Sequence, residues 1–326
     1  MTVQSAGLAA TVTDHASAGR RWLPLIVVVV IVAGLVIGAS SLVPGFATIA
    51  NARAILSSMT LIGIVAVGMS FVTLSGNIIS TSLGTTVVIS SMVFLSALTY
   101  GVPGGIVVTL IVATVVCAMQ GAIIGAFGAN PIVVTIAFGI LQLGVAQWLT
   151  GQSTVYPPSG VDFDFLTATP LGLPVATFVL VVLVVAAELW SRRTRLGREL
   201  VLVGANRRAA RAGGLRVTVV ATTAFAWAGA CAGIAGVFLG AAQRNATLLT
   251  SETFTWDAIA AVLLGGMAIA GGAGAIYRSV AGALVIAVIS NILLLAALST
   301  GVQLLVRGIV VFLAIVCLHV WRRWLR

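Results

Sequence analysis

Residues 104–127 read GGIVVTLIVATVVCAMQGAIIGAF, 24 residues without a single charge. A helix crossing a bilayer core needs about 20 predominantly apolar residues at roughly 1.5 Å rise each. This run is long enough. A membrane β-strand would instead show short segments of alternating polarity, and that alternation is missing here. Runs of the same kind recur outward in both directions. They predict ten spanning helices, at 23–43, 55–74, 83–100, 104–127, 131–149, 171–190, 217–241, 257–275, 279–298 and 302–320. The spans at 83–100 and 257–275 are short or broken by Ser, Thr and Gly, so nine and eleven are the neighbouring counts.

The whole chain agrees with that reading. Its 326 residues are 60% hydrophobic and 7% charged, with a mean hydropathy of +1.20. A soluble domain carries about a quarter charged residues. Water-soluble globules, disordered chains and disulfide-stapled secreted modules are therefore excluded. The expected fold class is all-α: a polytopic membrane protein of about ten transmembrane helices in contact with lipid. Residues 1–22 form a flexible tail, and 23–326 form a single transmembrane domain. Val43-Pro44-Gly45 does not fit a signal-peptidase site, so the first span reads as a retained anchor.

All 17 basic residues are arginines, against seven acids. On a soluble protein such an excess would suggest nucleic acid; in a chain this apolar it reports orientation, and no nucleic-acid partner is expected. With the N-terminus inside, Arg20, Arg21, Arg322, Arg323, Arg326, Arg278 and the eight arginines of 191–216 all fall on the cytoplasmic side. Only Arg53, Arg244 and Arg307 fall elsewhere. Asp162, Asp164, Glu252 and Asp257 gather on the opposite face. The expectation is a multi-pass protein of a bacterial plasma membrane with both termini cytoplasmic.

Several chemistries lack their residues. Cys117, Cys231 and Cys317 lie apart in apolar runs, so no metal site is expected. His15 and His319 sit at the two chain ends. No GxxxxGK[ST] run is present to cradle ATP phosphates, and no Ser/His/Asp set assembles. Arg307 is the only charge well inside an expected span, and snorkelling outward accounts for it. The chain reads as a conduit, not an enzyme, energised from elsewhere. A self-sufficient carrier coupled to an ion gradient would want an intramembrane acid. An enzyme acting on lipid would want a catalytic set.

The cytoplasmic loop 191–216 carries TRLGRELVLVGANRRAARAGG at 194–214. Its composition alone allows a plain positive-inside loop. Its order suggests more. Asn206 can cap a short helix, Ala209, Ala210 and Ala212 give that helix a small-residue surface, and Gly213 and Gly214 can end it. Such a helix can seat in another protein's groove while its arginines pair with acids at the rim.

The pattern TRLGRxxxxxGxNxxAAxxxG resembles the permease subunits of bacterial ATP-binding-cassette importers of the ribose and simple-sugar type. Asp257-Ala258-Ile259-Ala260-Ala261-Val262-Leu263-Leu264-Gly265-Gly266, followed by Ala270-Gly271-Gly272, is similar to that family's DAIAAVxLGG…AGGxG signature. Gly282, Asn291 and Gln303…Arg307-Gly308 sit in register. Ala66-Val67-Gly68-Met69 with Ser75-Gly76 resembles its AVGM…SGGIDLSVGS segment. The likeness covers most of 45–315.

The resemblance implies an importer permease fold with a second permease subunit, identical or a close paralogue, beside this one. Two cytoplasmic ATPase subunits, or one fused ATPase, would dock below, and an extracytoplasmic binding protein would deliver the solute. This chain would hold no cofactor, ATP and Mg belonging to the ATPase. Arg195, Gly197, Arg198, Gly204, Asn206, Ala209, Ala210 and Gly213 would form the ATPase-coupling loop. Ser80 stands where the family carries an acid, Gly76-Asn77 where it carries two glycines, Ala273 where it usually carries Lys or Arg, and Leu143-Gly144 where Arg-Gly is common.

The pathway candidates are Asn77, Ser80, Ser82, Gln142, Trp256, Asp257 and Asn291. Four of them have a plainer competing reading. Ser80 would be a helix cap; Trp256 and Asp257 would be an aromatic-belt residue and an N-cap; Asn291 would bond a neighbouring helix. The glycine-dense 265–274 is expected to interrupt the eighth span beside the route. Gly121, Gly125 and Gly128, and Gly229, Gly233 and Gly236, are expected to let helices approach closely. A neutral polar solute, a monosaccharide or related polyol, is the expected cargo.

Overall fold

In a computed structural model the apolar runs fold as helices whose boundaries follow local chemistry; it describes residues 30, 32–41, 45–248, 251–268, 270–299, 301–310 and 312. The expected tail 1–22, the terminal arginines, His15, His319 and Cys317 lie outside the described residues. The helices are α1 (Val32–Ser41), α2 (Ile49–Leu74), α3 (Leu83–Ala97), α4 (Gly101–Phe127), α5 (Pro131–Thr150), α6 (Val175–Arg193), α7 (Arg195–Ala205), α8 (Arg207–Ala212), α9 (Val217–Gln243), α10 (Ser251–Leu264), α11 (Ile276–Leu295) and α12 (Gly301–Val310). Thr48 caps α2 by accepting from Asn51 N, and Asn130 caps α5 from Ile132 N just before Pro131. Among the described residues no sheet forms; the strand-like feature is one antiparallel bridge between Val155 and Ala246.

Among the described residues six segments are long and apolar enough to cross a membrane, and α1, the Phe254–Leu264 part of α10 and α12 are shorter apolar helices. The chain is thus a polytopic all-α protein. One of the six, Leu83–Phe127, is a hairpin: Gly101 adopts φ +78 after the 3-10 turn Leu98–Tyr100, and Gly105 lies against the Phe94 ring. The two expected spans there are separate helices, as read from the sequence.

The core is built around α9, which packs on α2, α3 and α4. The glycines explain how close α4 comes. A Cβ on Gly121 would lie 2.6 Å from Ala221 O, and one on Gly125 would lie 2.5 Å from Thr218 Cα. Gly229 and Gly233 answer from α9 against Ala113 and Leu110. Gly128 does not share that role: it ends α4 in the left-handed conformation with open space around it.

The eighth span breaks at the glycines expected to interrupt it, but it starts earlier than the sequence reading placed it. Its helix is α10, which begins at Ser251 and stops at Leu264; residues 265–268 and 270–275 are irregular, with positive φ at Gly266, Gly271, Gly272 and Gly274. Asp257 is therefore in the second turn of a helix and is not its N-cap. Glu188 of α6 closes the gap beyond. Its carboxylate accepts from Ile276 N at 3.1 Å, at the first residue of α11, where the helix dipole favours an anion.

Candidate functional site

A second irregular stretch, 75–82, separates α2 from α3 and is largely buried. Gly76 turns the chain with φ +76, and Ile78 follows at φ +59, a conformation that a β-branched residue rarely adopts. Surrounding bonds hold it. Thr73 Oγ1 donates to Ile78 O at 2.9 Å, Asn77 Nδ2 donates to Ser75 Oγ at 2.7 Å, and Ser80 N points at Met69 Sδ. Asn77 Oδ1 is buried without a partner.

Beyond this stretch the first turn of α3 meets amides and hydroxyls from three other helices. Ser82 Oγ donates to Gln120 Oε1 of α4 at 2.7 Å and lies 3.2 Å from Ser80 Oγ. Thr86 Oγ1 bonds Ser82 O at 2.9 Å and Gln142 Oε1 of α5 at 3.0 Å. Thr81 meets Thr135 of α5 at 2.9 Å. Three expected pathway residues, Ser80, Ser82 and Gln142, are thus linked here, while Asn77 bonds instead to Ser75. No charged side chain takes part in these bonds.

The helix-cap reading of Ser80 does not hold. Neither Ser80 nor Ser82 accepts from the first-turn amides of α3; Thr255 of α10 does so from across the bundle, accepting from Gly84 N at 3.0 Å. Thr255→Val should therefore lower stability by about 1–2 kcal/mol in thermal unfolding of the purified protein, while Thr255→Ser leaves it near wild type.

The loop 191–216 folds as α7 and α8. Thr194 caps α7 through Gly197 N, and Asn206 caps α8 through Arg208 N and Ala209 N. Gly197, Leu200, Val203 and Gly204 are buried against the chain, whereas Arg195, Arg198, Leu202 and Ala205 face outward on one stripe. Gly204 is where α7 touches both irregular stretches. A Cβ there would overlap Leu74 O and lie 2.7 Å from Gly272 N, and one on Gly271 would lie 2.5 Å from Gly76 Cα. Gly272 N donates to Leu74 O at 3.0 Å across this junction.

In α8, Ala209 and Ala212 are exposed but Ala210 is buried, so the expected small-residue surface shows two of its three alanines outward. Gly213 ends α8, followed by Gly214 at φ +81. Arg207 reaches back and donates to Ile124 O in the last turn of α4 at 2.9 Å. Burial first, and the charge of Arg211 second, hold its pKa below the ordinary arginine value.

The remaining candidates separate. Trp256 is exposed on α10. Asp257 is buried and accepts from Arg307 Nη1 through both carboxylate oxygens, at 3.1 and 3.2 Å. Arg307 therefore has an intramolecular partner, and outward snorkelling is not its solution. Asn291 stands apart from the α3 cluster and donates to Asn51 Oδ1 at 2.8 Å, the interhelical bond that was its competing reading.

Sequence reasoning missed Gln120, Thr135, Thr255 and Glu188. Gln120 carried a signal: it is the one amide side chain within 104–127. The others pair across more than fifty residues, which no local spacing reveals.

Residues 51–315 match the family described as "Branched-chain amino acid transport system / permease component". The ribose import permease protein RbsC of Escherichia coli (strain K12) is 31% identical over 324 residues, covering 93% of this chain and 98% of that protein. RbsC of Bacillus subtilis (strain 168) is 30% identical over 286 residues, 86% of this chain and 88% of that one. The L-arabinose transport system permease protein AraH of Escherichia coli (strain K12) is 28% identical over 307 residues, covering 92% of each chain. No solved structure matches significantly. With the family covering most of the described helices, and both irregular stretches inside the matched region, the chain belongs to this transport-system permease component family.

Proposed function

We propose that this permease is the membrane subunit of an ATP-binding-cassette importer that admits a neutral polar solute, a monosaccharide or related polyol. It works with a second permease subunit, a separate ATPase docked on the α7–α8 face, and an extracytoplasmic binding protein. The arginine-rich end is cytoplasmic, as are both termini. The chain holds neither ATP nor Mg.

One observation carries this reading. The buried face of α7 rests on both irregular stretches at Gly204, while its opposite face presents Arg195, Arg198, Leu202 and Ala205 outward beside Ala209. A motor gripping the outward stripe would move α7 relative to the backbone at Leu74, Gly76 and Gly272, which it touches at Gly204. Accessibility of the pathway would follow that motion. The relatives named for ribose and arabinose transport support a sugar-like cargo, as does a cluster built of hydroxyls and amides alone.

The test is co-purification with the partner ATPase, then solute uptake in proteoliposomes with the binding protein present. Ala209→Trp, on the exposed side of α8, should reduce both ATPase capture and ATP-driven uptake at least tenfold with the melting temperature unchanged. Unaltered uptake would overturn the docking role. Uptake by the permease alone after ATP depletion would favour an ion-coupled carrier.

A further inference from the structure

Two buried glutamines flank one turn of α3 and are only half satisfied. Gln120 is fully buried and Gln142 is 8% exposed, yet the Nε2 atom of each has no hydrogen-bond partner. Their oxygens engage Ser82 and Thr86, one helical turn apart, and Ser82 O also accepts from Thr86 Oγ1. The two amides thus come from α4 and α5 to the same edge of α3. Turning either amide about its Cγ–Cδ bond exchanges nitrogen for oxygen without supplying a second partner. One polar atom per glutamine stays unpaired either way. Buried polar groups are rarely left so, because desolvation is not recovered.

From this we infer that Gln120 and Gln142, with Ser80 and Ser82, form a subsite that reads the hydroxyl groups of a neutral polyhydroxylated solute; the inference rests on the importer reading above. A hydroxyl is both donor and acceptor, so it completes an amide in either orientation. A carboxylate or ammonium is a poor fit, since no side chain of opposite charge takes part in the cluster's bonds. The adjacent 75–82 stretch offers a route of access. It holds Ile78 in a strained left-handed conformation and Asn77 Oδ1 unpaired, and it touches α7 through Gly76 and Gly204. Displacing it would open the Ser80–Ser82–Gln120 chain of bonds. Specificity arises because a solute lacking the matched hydroxyl leaves the buried amide unpaired, which a hydroxyl-reading site penalises strongly.

The experiment uses the assembled transporter with its ATPase and binding protein in proteoliposomes. Probes are D-ribose and its 2-, 3- and 5-deoxy analogues. Discrimination is the uptake ratio of ribose to each analogue, and the same binding protein serves wild type and variant, so its own preference cancels. Gln120→Leu should reduce ribose uptake at least tenfold and collapse discrimination against one deoxy position by tenfold or more. ATP hydrolysis should stay within twofold. Gln142→Leu should act the same way at a different position, and it carries the test should Gln120→Leu not fold. Equal loss for all probes, with discrimination intact, would overturn the subsite and leave the importer reading standing.

A second measurement separates the two ideas. Ribose or ribitol should raise the melting temperature of the purified wild-type permease and not that of Gln120→Leu. A wild-type shift without ATP-driven uptake would sink the importer reading and keep the subsite. Absence of that shift together with unchanged discrimination would sink the subsite.

Discussion

Gly204→Ala should destabilise the protein by about 2 kcal/mol and, under the proposed importer mechanism, stop ATP-driven uptake. In an isolated helix the same change would stabilise by up to ~1 kcal/mol, because alanine outranks glycine in helix propensity. The tertiary contact reverses the sign. The added methyl would occupy the position of Leu74 O and come within 2.7 Å of Gly272 N, two backbone atoms that already bond each other at 3.0 Å. Backbone cannot rotate away as a side chain can, and overpacking costs about 1–3 kcal/mol. To fit, α7 must lift from the junction, and the outward stripe of Arg195, Arg198 and Leu202 lifts with it. Gly144→Ala on α5 is the matched control. Nothing lies within 4 Å of its added Cβ, so thermal unfolding should show no loss. Equal behaviour of the two variants would mean that α7 is not held by this contact.

The Asp257–Arg307 pair yields the larger stability effect. The two side chains are 12% and 20% exposed and joined through both carboxylate oxygens. Removing one partner of a buried pair strands the other charge and costs about 3–5 kcal/mol. Asp257→Ala should therefore unfold at markedly lower temperature, as should Arg307→Ala. Asp257→Leu with Arg307→Met should recover most of the loss, because an apolar pair of similar volume removes both desolvation terms. A double-mutant cycle by thermal unfolding checks this, and additive losses would mean the charges do not interact. The pair ties α10 to α12, so the same variants test whether the half-helix before the 265–275 break needs that anchor.

The sequence by itself determined that this chain is a bundle of apolar helices. Continuous uncharged runs such as 104–127 can satisfy their backbone in lipid only as helices. A helix end was legible too where a local residue makes it: Asn206 caps α8 through its side-chain oxygen, as its chemistry predicts. The glycine density at 265–274 announced a break within the eighth span, although not that α10 would start six residues before Asp257.

Tertiary structure decided everything that depends on partners distant in sequence. Nothing near Gly84 shows that Thr255 will accept its amide proton, nor that Arg307 will find Asp257 instead of water. The same holds for Gln120 and Gln142, which a linear reading sees as two isolated amides on different spans. Helical periodicity says which face a residue occupies and not which helix lies against it. Only the packing of α4, α5 and α10 around the first turn of α3 brings those groups together.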